Sequence, residues 1–203
     1  LEIISTGGTV TIAGTLKFYV NNYTHTSGTV DTTTSTIAFT SNGGATNSFT
    51  PSTVAYYNVD FGGYAMSTNL IGTLTVNGTL SFGDTYTTPG QVNTGTIEAY
   101  GNVAGTLNGK LGSAVLNIVG ASSTTISAAA TARLLSTSST INKTGGATVT
   151  MLSNVTLSAA SQDITIAGGT LDLGGFDLTV ADAITIGASG TLRCNGGTYT
   201  SVS

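Results

Sequence analysis

Charge is what this chain has least of. Only 7% of its 203 residues are charged, where an ordinary globular domain carries about a quarter. The five basic residues, Lys17, Lys110, Arg133, Lys143 and Arg193, are scattered, and the net charge is −4. Without a basic patch to neutralise phosphates, nucleic acid is not an expected partner. The single cysteine, Cys194, excludes an internal disulfide. It follows Leu192 and Arg193 in a strand-like run and reads as a buried or half-buried small residue. His25 is the only histidine. No second histidine or thiol lies close in sequence to share a metal, and no G-x-S-x-G phrase supplies a hydrolase nucleophile. His25 therefore reads as a loop residue. The glycine-rich calcium repeat G-G-x-G-x-D is absent. No apolar run approaches the roughly 20 residues of a spanning helix. No metal, cofactor or membrane span is expected.

What the chain does have is period-two alternation broken by glycine. In residues 162–193, QDITIAGGTLDLGGFDLTVADAITIGASGTLR, Ile164 and Ile166 flank Thr165, Leu171 and Leu173 flank Asp172, Leu178 and Val180 flank Thr179, and Ile184 and Ile186 flank Thr185. Such alternation puts apolar side chains on one face of a strand and polar ones on the other. Gly168-Gly169 and Gly174-Gly175 punctuate the runs as bends.

The pattern recurs at about 22 residues, a solenoid period. One track is Val54, Val76, Ile97, Ile118, Ile141, Ile164, Ile186. A second is Phe18, Phe39, Phe61, Phe82, Val103, Ile126, Val149, Leu171, Leu192. A third is Phe49, Ile71, Val92, Leu111, Leu134, Leu157, Leu178, Tyr199. These tracks predict an all-β parallel β-helix, or β-solenoid, of roughly nine coils with three sheets. Hairpins of a sandwich would not keep one period across three interleaved tracks. The whole chain, 1–203, reads as one solenoid domain. Residues 1–35 would be an irregular first coil or loop extension, with a polar turn at 21–26, and 36–203 the regular coils. The strand-like Leu1-Glu2-Ile3-Ile4 start suggests a mature product or a segment of a longer chain.

The phrases GGTLDLGGFDLTV, STIAFTSNGGATNSFTPSTVAYYNVDF and LIGTLTVNGTLSFGD resemble repeats of large bacterial surface proteins, the autotransporter-associated and filamentous-haemagglutinin-like adhesins. The resemblance covers residues 36–193. It implies a right-handed coil and an extracellular, cell-surface location. These repeats are scaffolds without a shared active site, so it carries little about function.

Candidate sites are few. Residues 62–69 and 83–93 read as the longest turns, where binding would sit on a rigid stack. Tyr64 and Tyr86 in those turns, with Asp60, Asp84 and Glu98 nearby, form a candidate glycan or partner surface. A glycosidase pair among these carboxylates would need two groups roughly 5–9.5 Å apart. Asp163, Asp172, Asp177 and Asp182 read as solvated or turn-capping residues. Of Tyr56 and Tyr57, one ring should point inward and the other out. The Thr-x-Thr phrases fall on different tracks, which disfavours an ice-ordering face. The N-x-T sequons at Asn22, Asn77, Asn142 and Asn154 fit chance in a threonine-rich chain. The expected function is therefore non-enzymatic: a structural or adhesive solenoid of a surface fibre, stalk, sheath or adhesin. Its partners would be copies of itself or adjacent repeats stacked end to end. The alternative is a carbohydrate-active or glycan-binding β-helix such as a phage tailspike or polysaccharide lyase.

Overall fold

β-branched residues alternating with small polar ones suit a pleated, half-buried surface, and in the computed structural model nearly every such run is a strand. The structure describes residues 1–19, 22–40, 44, 46–63, 66–83, 90–105, 112–129, 139–157 and 162–202. Among these there are twenty-two strands and no helix.

The strands stack on three sides of a coil. The first side holds β1 (Glu2–Thr11), β3 (Tyr23–Asp31), β5 (Thr46–Thr50), β8 (Ser67–Leu70) and β11 (Gln91–Asn93). Farther along the chain, β18 (Val155–Leu157), β20 (Leu178–Val180) and β22 (Tyr199–Ser201) take the same place in their coils. The second side holds β6 (Ala55–Tyr56), β9 (Thr73–Val76), β12 (Thr96–Ala99), β14 (Val115–Gly120) and β16 (Ser139–Lys143). The third holds β2 (Thr15–Phe18), β4 (Thr36–Phe39), β7 (Asn58–Phe61), β10 (Leu80–Phe82), β13 (Val103–Gly105), β15 (Thr124–Ala128) and β17 (Thr148–Met151). Two long strands, β19 (Ile164–Asp172) and β21 (Ile184–Arg193), run along both the second and third sides. Every pairing is parallel. Nine strands stand in the third column, so the chain makes about eight turns from the first of them to the last.

The inward columns exist, and many predicted neighbours stack, among them Phe18 on Phe39, Ile118 on Ile141, Val103 on Ile126, Val149 on Leu171 and Leu178 on Tyr199; other partners differ from the predicted tracks. Val76 sits on Ala99, while Ile97 lies between Leu74 and Leu116. Ile164 lies between Ser139 and Ile184, and Ile141 pairs with Ile166. On the third side Phe82 pairs with Gly105, and Val103 with Leu80 and Ile126. Val149 pairs with Thr124 and Leu171. On the first side it is Leu70, not Ile71, that stacks on Phe49; Ile71 is 54% exposed. Leu157 pairs with Val180, and Val155 with Leu178 below Tyr199. Leu111 and Leu134 lie outside the described residues. Ile71 is a slip of one, which turns the side chain to the other face; the other differences are slips of two, which keep every apolar side chain on the same face, so that corner length and not alternation sets the register.

The core changes character along the axis. Phe18, Phe39, Phe61 and Phe82 form a stack with centroid separations of 5.3, 5.1 and 5.8 Å and interplanar angles of 22°, 11° and 13°. Beside it lie Phe49 and the buried Tyr23 and Tyr56, with the Tyr56 hydroxyl donating to that of Tyr23 at 2.9 Å. Beyond Phe82 the column continues as Gly105 and Ala128. There the core is aliphatic and leaves a cavity of about 20 Å3 among Ile118, Ile126, Ser139, Ile141 and Met151.

Outside, side chains tie successive coils together. Asn58 Oδ1 accepts the Thr79 N–H at 2.7 Å, Asn102 Oδ1 that of Thr125 at 3.0 Å, and Ser123 Oγ that of Thr148 at 3.1 Å. Elsewhere Asn22 Oδ1 takes the Ser48 N–H, Asn154 Oδ1 that of Asp177, and Asp177 Oδ1 that of Thr198. Most of these donors stand at or beside a corner, where the strand ladder lapses, while Ser48 lies inside β5. Two of the N-x-T phrases follow from this pattern. In Asn22-Tyr23-Thr24 and Asn154-Val155-Thr156 the asparagine bonds to the next coil, the middle residue faces in and the threonine faces out. Outward threonines also stack three high, as Thr140–Thr165–Thr185 and Thr156–Thr179–Thr200.

Several expectations are corrected. The supposed polar turn at 21–26 is largely strand: β3 begins at Tyr23, and Tyr23 and His25 are buried inward residues. His25 is thus no loop residue; its Nε2 lies 3.1 Å from Gly28 O. Strands also begin at Ser67 and Gln91, inside the two supposed long turns. Cys194 is exposed: it follows the end of β21 at Arg193, and among the described residues β21 pairs with β19 alone. Asp172 is buried, and of the two expected roles, solvated or turn-capping, it takes the second, its Oδ1 accepting the Gly174 N–H. Of the tyrosine pair, Tyr56 is inside and Tyr57 outside, as predicted.

Candidate functional site

Asp60 lies on β7 between Ala38 and Ser81, half-buried, with Val59 and Phe61 facing the core. Glu98 lies on β12 between Thr75 and Asn117. The two point outward from different sides of the coil and stand two coils apart, a separation of roughly 10 Å along the axis alone. They do not form a pair. Tyr64, Asp84 and Tyr86 lie outside the described residues. No cluster of three metal-ligating side chains occurs among the described residues.

Three of the late acidic residues, Asp172, Asp177 and Asp182, have local partners for their side chains. Asp172 Oδ2 accepts from Arg193 Nη2 at 2.7 Å and Nε at 3.0 Å, and Oδ1 accepts the Gly174 N–H at 2.9 Å. The Gly174 bond, then Arg193, holds its pKa below the usual carboxylate value against the opposing effect of burial. Asp177 serves the corner described above, and Asp182 Oδ1 accepts the Ala183 N–H.

Lys143 is the buried cation of the described residues, with a side chain enclosed at the end of β16. Its Nζ donates to Val119 O at 2.6 Å and reaches Tyr100 O at 3.5 Å, tying the carbonyls of two coils. Burial lowers its pKa to about 8. Above it Gly169 has φ +76°, and a Cβ there would come within 2.5 Å of Lys143 Cβ, so glycine is required.

Two surface features bear on function. One is the open end of the stack. Among the described residues β21 pairs with β19 alone, leaving its far-side N–H and C=O groups without a ladder. Ile164, Ile166 and Leu171 are at most 3% exposed, yet Ile186, one coil beyond Ile166, is 50% exposed, and Ile184 and Leu192 are only half-buried. At the opposite end Leu1, Ile4 and Val10 are 55%, 58% and 37% exposed. The other feature is a groove where the second side turns into the third, edged by Tyr57 and Tyr100. Neither was predicted as a site residue by position. Tyr100 falls on the same corner as Tyr57 only once the register is known.

The chain matches no family model, no curated protein and no solved structure.

Proposed function

We propose that this chain is a non-enzymatic extracellular scaffold, a stretch of β-solenoid in a surface fibre, stalk, sheath or adhesin. In this reading a further coil, from another copy or an adjacent repeat of the same polypeptide, covers its open edge. The observation that carries the reading is the contrast between Ile166, fully buried, and Ile186, half exposed in the same column. An unpaired parallel edge with apolar residues at its inner face is a template for another strand. The resemblance of GGTLDLGGFDLTV and its companions to bacterial surface repeats supports the same reading. So does the scarcity of charge, since a stack held by ladders and apolar columns has little to titrate.

Electron microscopy of the purified native material tests it. Filaments with an axial repeat near roughly 45 Å, nine strand spacings, or a multiple of it, are the expected result. An Ile186→Asp variant should abolish them by placing a charge in the covered column. Isolated rods at high concentration would overturn the stacking.

A further inference from the structure

The geometry points to a binding groove for a linear, neutral oligosaccharide along the corner between the second and third sides. The groove is an open surface cleft of about 490 Å3. It spans four successive corners: Tyr57-Asn58, Asn77-Gly78-Thr79, Tyr100-Gly101-Asn102 and residues 121–123. Backbone bonds stack these corners, Gly78 N on Tyr57 O at 2.6 Å and Tyr100 N on Val76 O at 2.8 Å.

Three properties select the ligand. Tyr57 and Tyr100 are 43% and 41% exposed, large rings left in water on an otherwise small-residue surface. They stand two coils apart, roughly 9.6 Å along the axis, about the length of two sugar rings. A tyrosine offers an apolar face for a sugar's C–H surface and a hydroxyl for its rim, with little rotamer freedom to lose. Between the rings the floor is held bare. A Cβ on Gly78 would come within 2.5 Å of Asn58 Oδ1, and one on Gly101 would strike Gly78 O. Tyr100 is braced from the next coil, since a Cβ on Gly120 would lie 2.8 Å from its Cδ1.

The polar groups are neutral and pre-positioned. Asn102 commits Oδ1 to the Thr125 N–H, so its NH2 is the part that can serve a ligand. Asn77 and Ser122 are exposed beside it. None of the residues lining this groove is an acid or a base. A single-stranded nucleic acid also stacks on aromatic rings, but its backbone needs a basic track, which is lacking here. A second cleft of about 330 Å3 shares Tyr57 and Asn77 and extends the corner toward Asp31, Thr32 and Thr33; the Asp31 carboxylate there accepts from Thr33 and would repel an anionic chain rather than a neutral one. The continuous path along the axis fits an extended chain rather than one sugar. This inference does not rest on end-to-end stacking; either can fail alone.

Affinity electrophoresis of the whole chain in native gels tests it, with galactomannan, hydroxyethyl cellulose and dextran as neutral probes and polygalacturonate as the anionic one. At least one neutral polymer should retard the chain. Tyr57→Ala and Tyr100→Ala should each weaken that retardation about tenfold, and the double variant should abolish it. Tyr100→Phe, which keeps the ring, and Tyr19→Ala, at an exposed tyrosine away from the groove, should leave it in place. Both mutated rings are surface residues, and circular dichroism checks that the variants fold. Migration unaffected by all three neutral polymers, retardation by polygalacturonate alone, or retardation that survives the double variant would overturn the proposal.

Discussion

Arg193 and Asp172 face each other across the last two coils, Nη2 and Nε of the arginine both on Oδ2 of the aspartate at 2.7 and 3.0 Å. The aspartate is buried while the arginine is exposed. Oδ1 accepts from Gly174, so the carboxylate links a turn to its neighbouring strand.

Because the folded pKa of Asp172 is lowered, its contribution to stability is present above the unfolded value of about 3.9. It is lost as pH falls from there through the folded value, where the unfolded chain binds the proton first. Thermal unfolding between pH 6 and 2 should therefore fall more steeply for the wild type than for Asp172→Asn. Parallel curves would remove Asp172 from the acid response.

The alkaline side has two opposed contributions. Lys143, lowered to about 8 by burial, holds fewer protons folded than unfolded between about 8 and its ordinary value of about 10.4, so stability should rise across that window. Tyr56 is raised by burial and by Tyr23, and Tyr23 is raised by burial. Above pH ~10 the unfolded chain loses phenolic protons that the folded one keeps, and stability should fall. Melting temperature should thus peak between these windows. Lys143→Met should flatten the rise, and Tyr56→Phe should soften the fall.

Ser139 interrupts an apolar column between Leu116 and Ile164, and its buried Oγ has no hydrogen-bond partner in the structure. Ser139→Ala removes that hydroxyl, and Ser139→Val also fills space toward the neighbouring cavity. Each should stabilise by about 1 kcal/mol, or ~2–4 °C in Tm for a chain of this size. A lowered Tm in both would mean the hydroxyl serves the fold.

Phe39 is stacked between Phe18 and Phe61 and fully buried. Phe39→Ala should cost about 3–5 kcal/mol, read as a lower urea midpoint. Exposed Tyr19→Ala should change it by less than ~0.5 kcal/mol.

Much of this architecture was readable from residue order, and particular residues show where reading stopped. Phe39, Phe61 and Phe82 were legible as a column because aromatic rings recur at one spacing. The spacing places Val103 over Phe82, yet it stacks over Leu80, since a slip of two leaves alternation intact. Tyr23 and His25 were hidden by polar neighbours, although their own alternation with Thr24 was the available signal. Local pattern does not place Cys194, because burial there depends on what stacks beyond β21.

The sequence by itself determined the all-β solenoid class, its steady period and, in the regular coils, most of the side chains that face in. Those follow from a two-residue strand repeat and from glycine at corners, both local properties. Only the tertiary structure decided the register, the meeting of Tyr57 with Tyr100 on one corner, and the exposure of Ile186 beside the buried Ile166. Each depends on the lengths of corners many residues apart and on what lies one coil above, and neither quantity is written in any single segment.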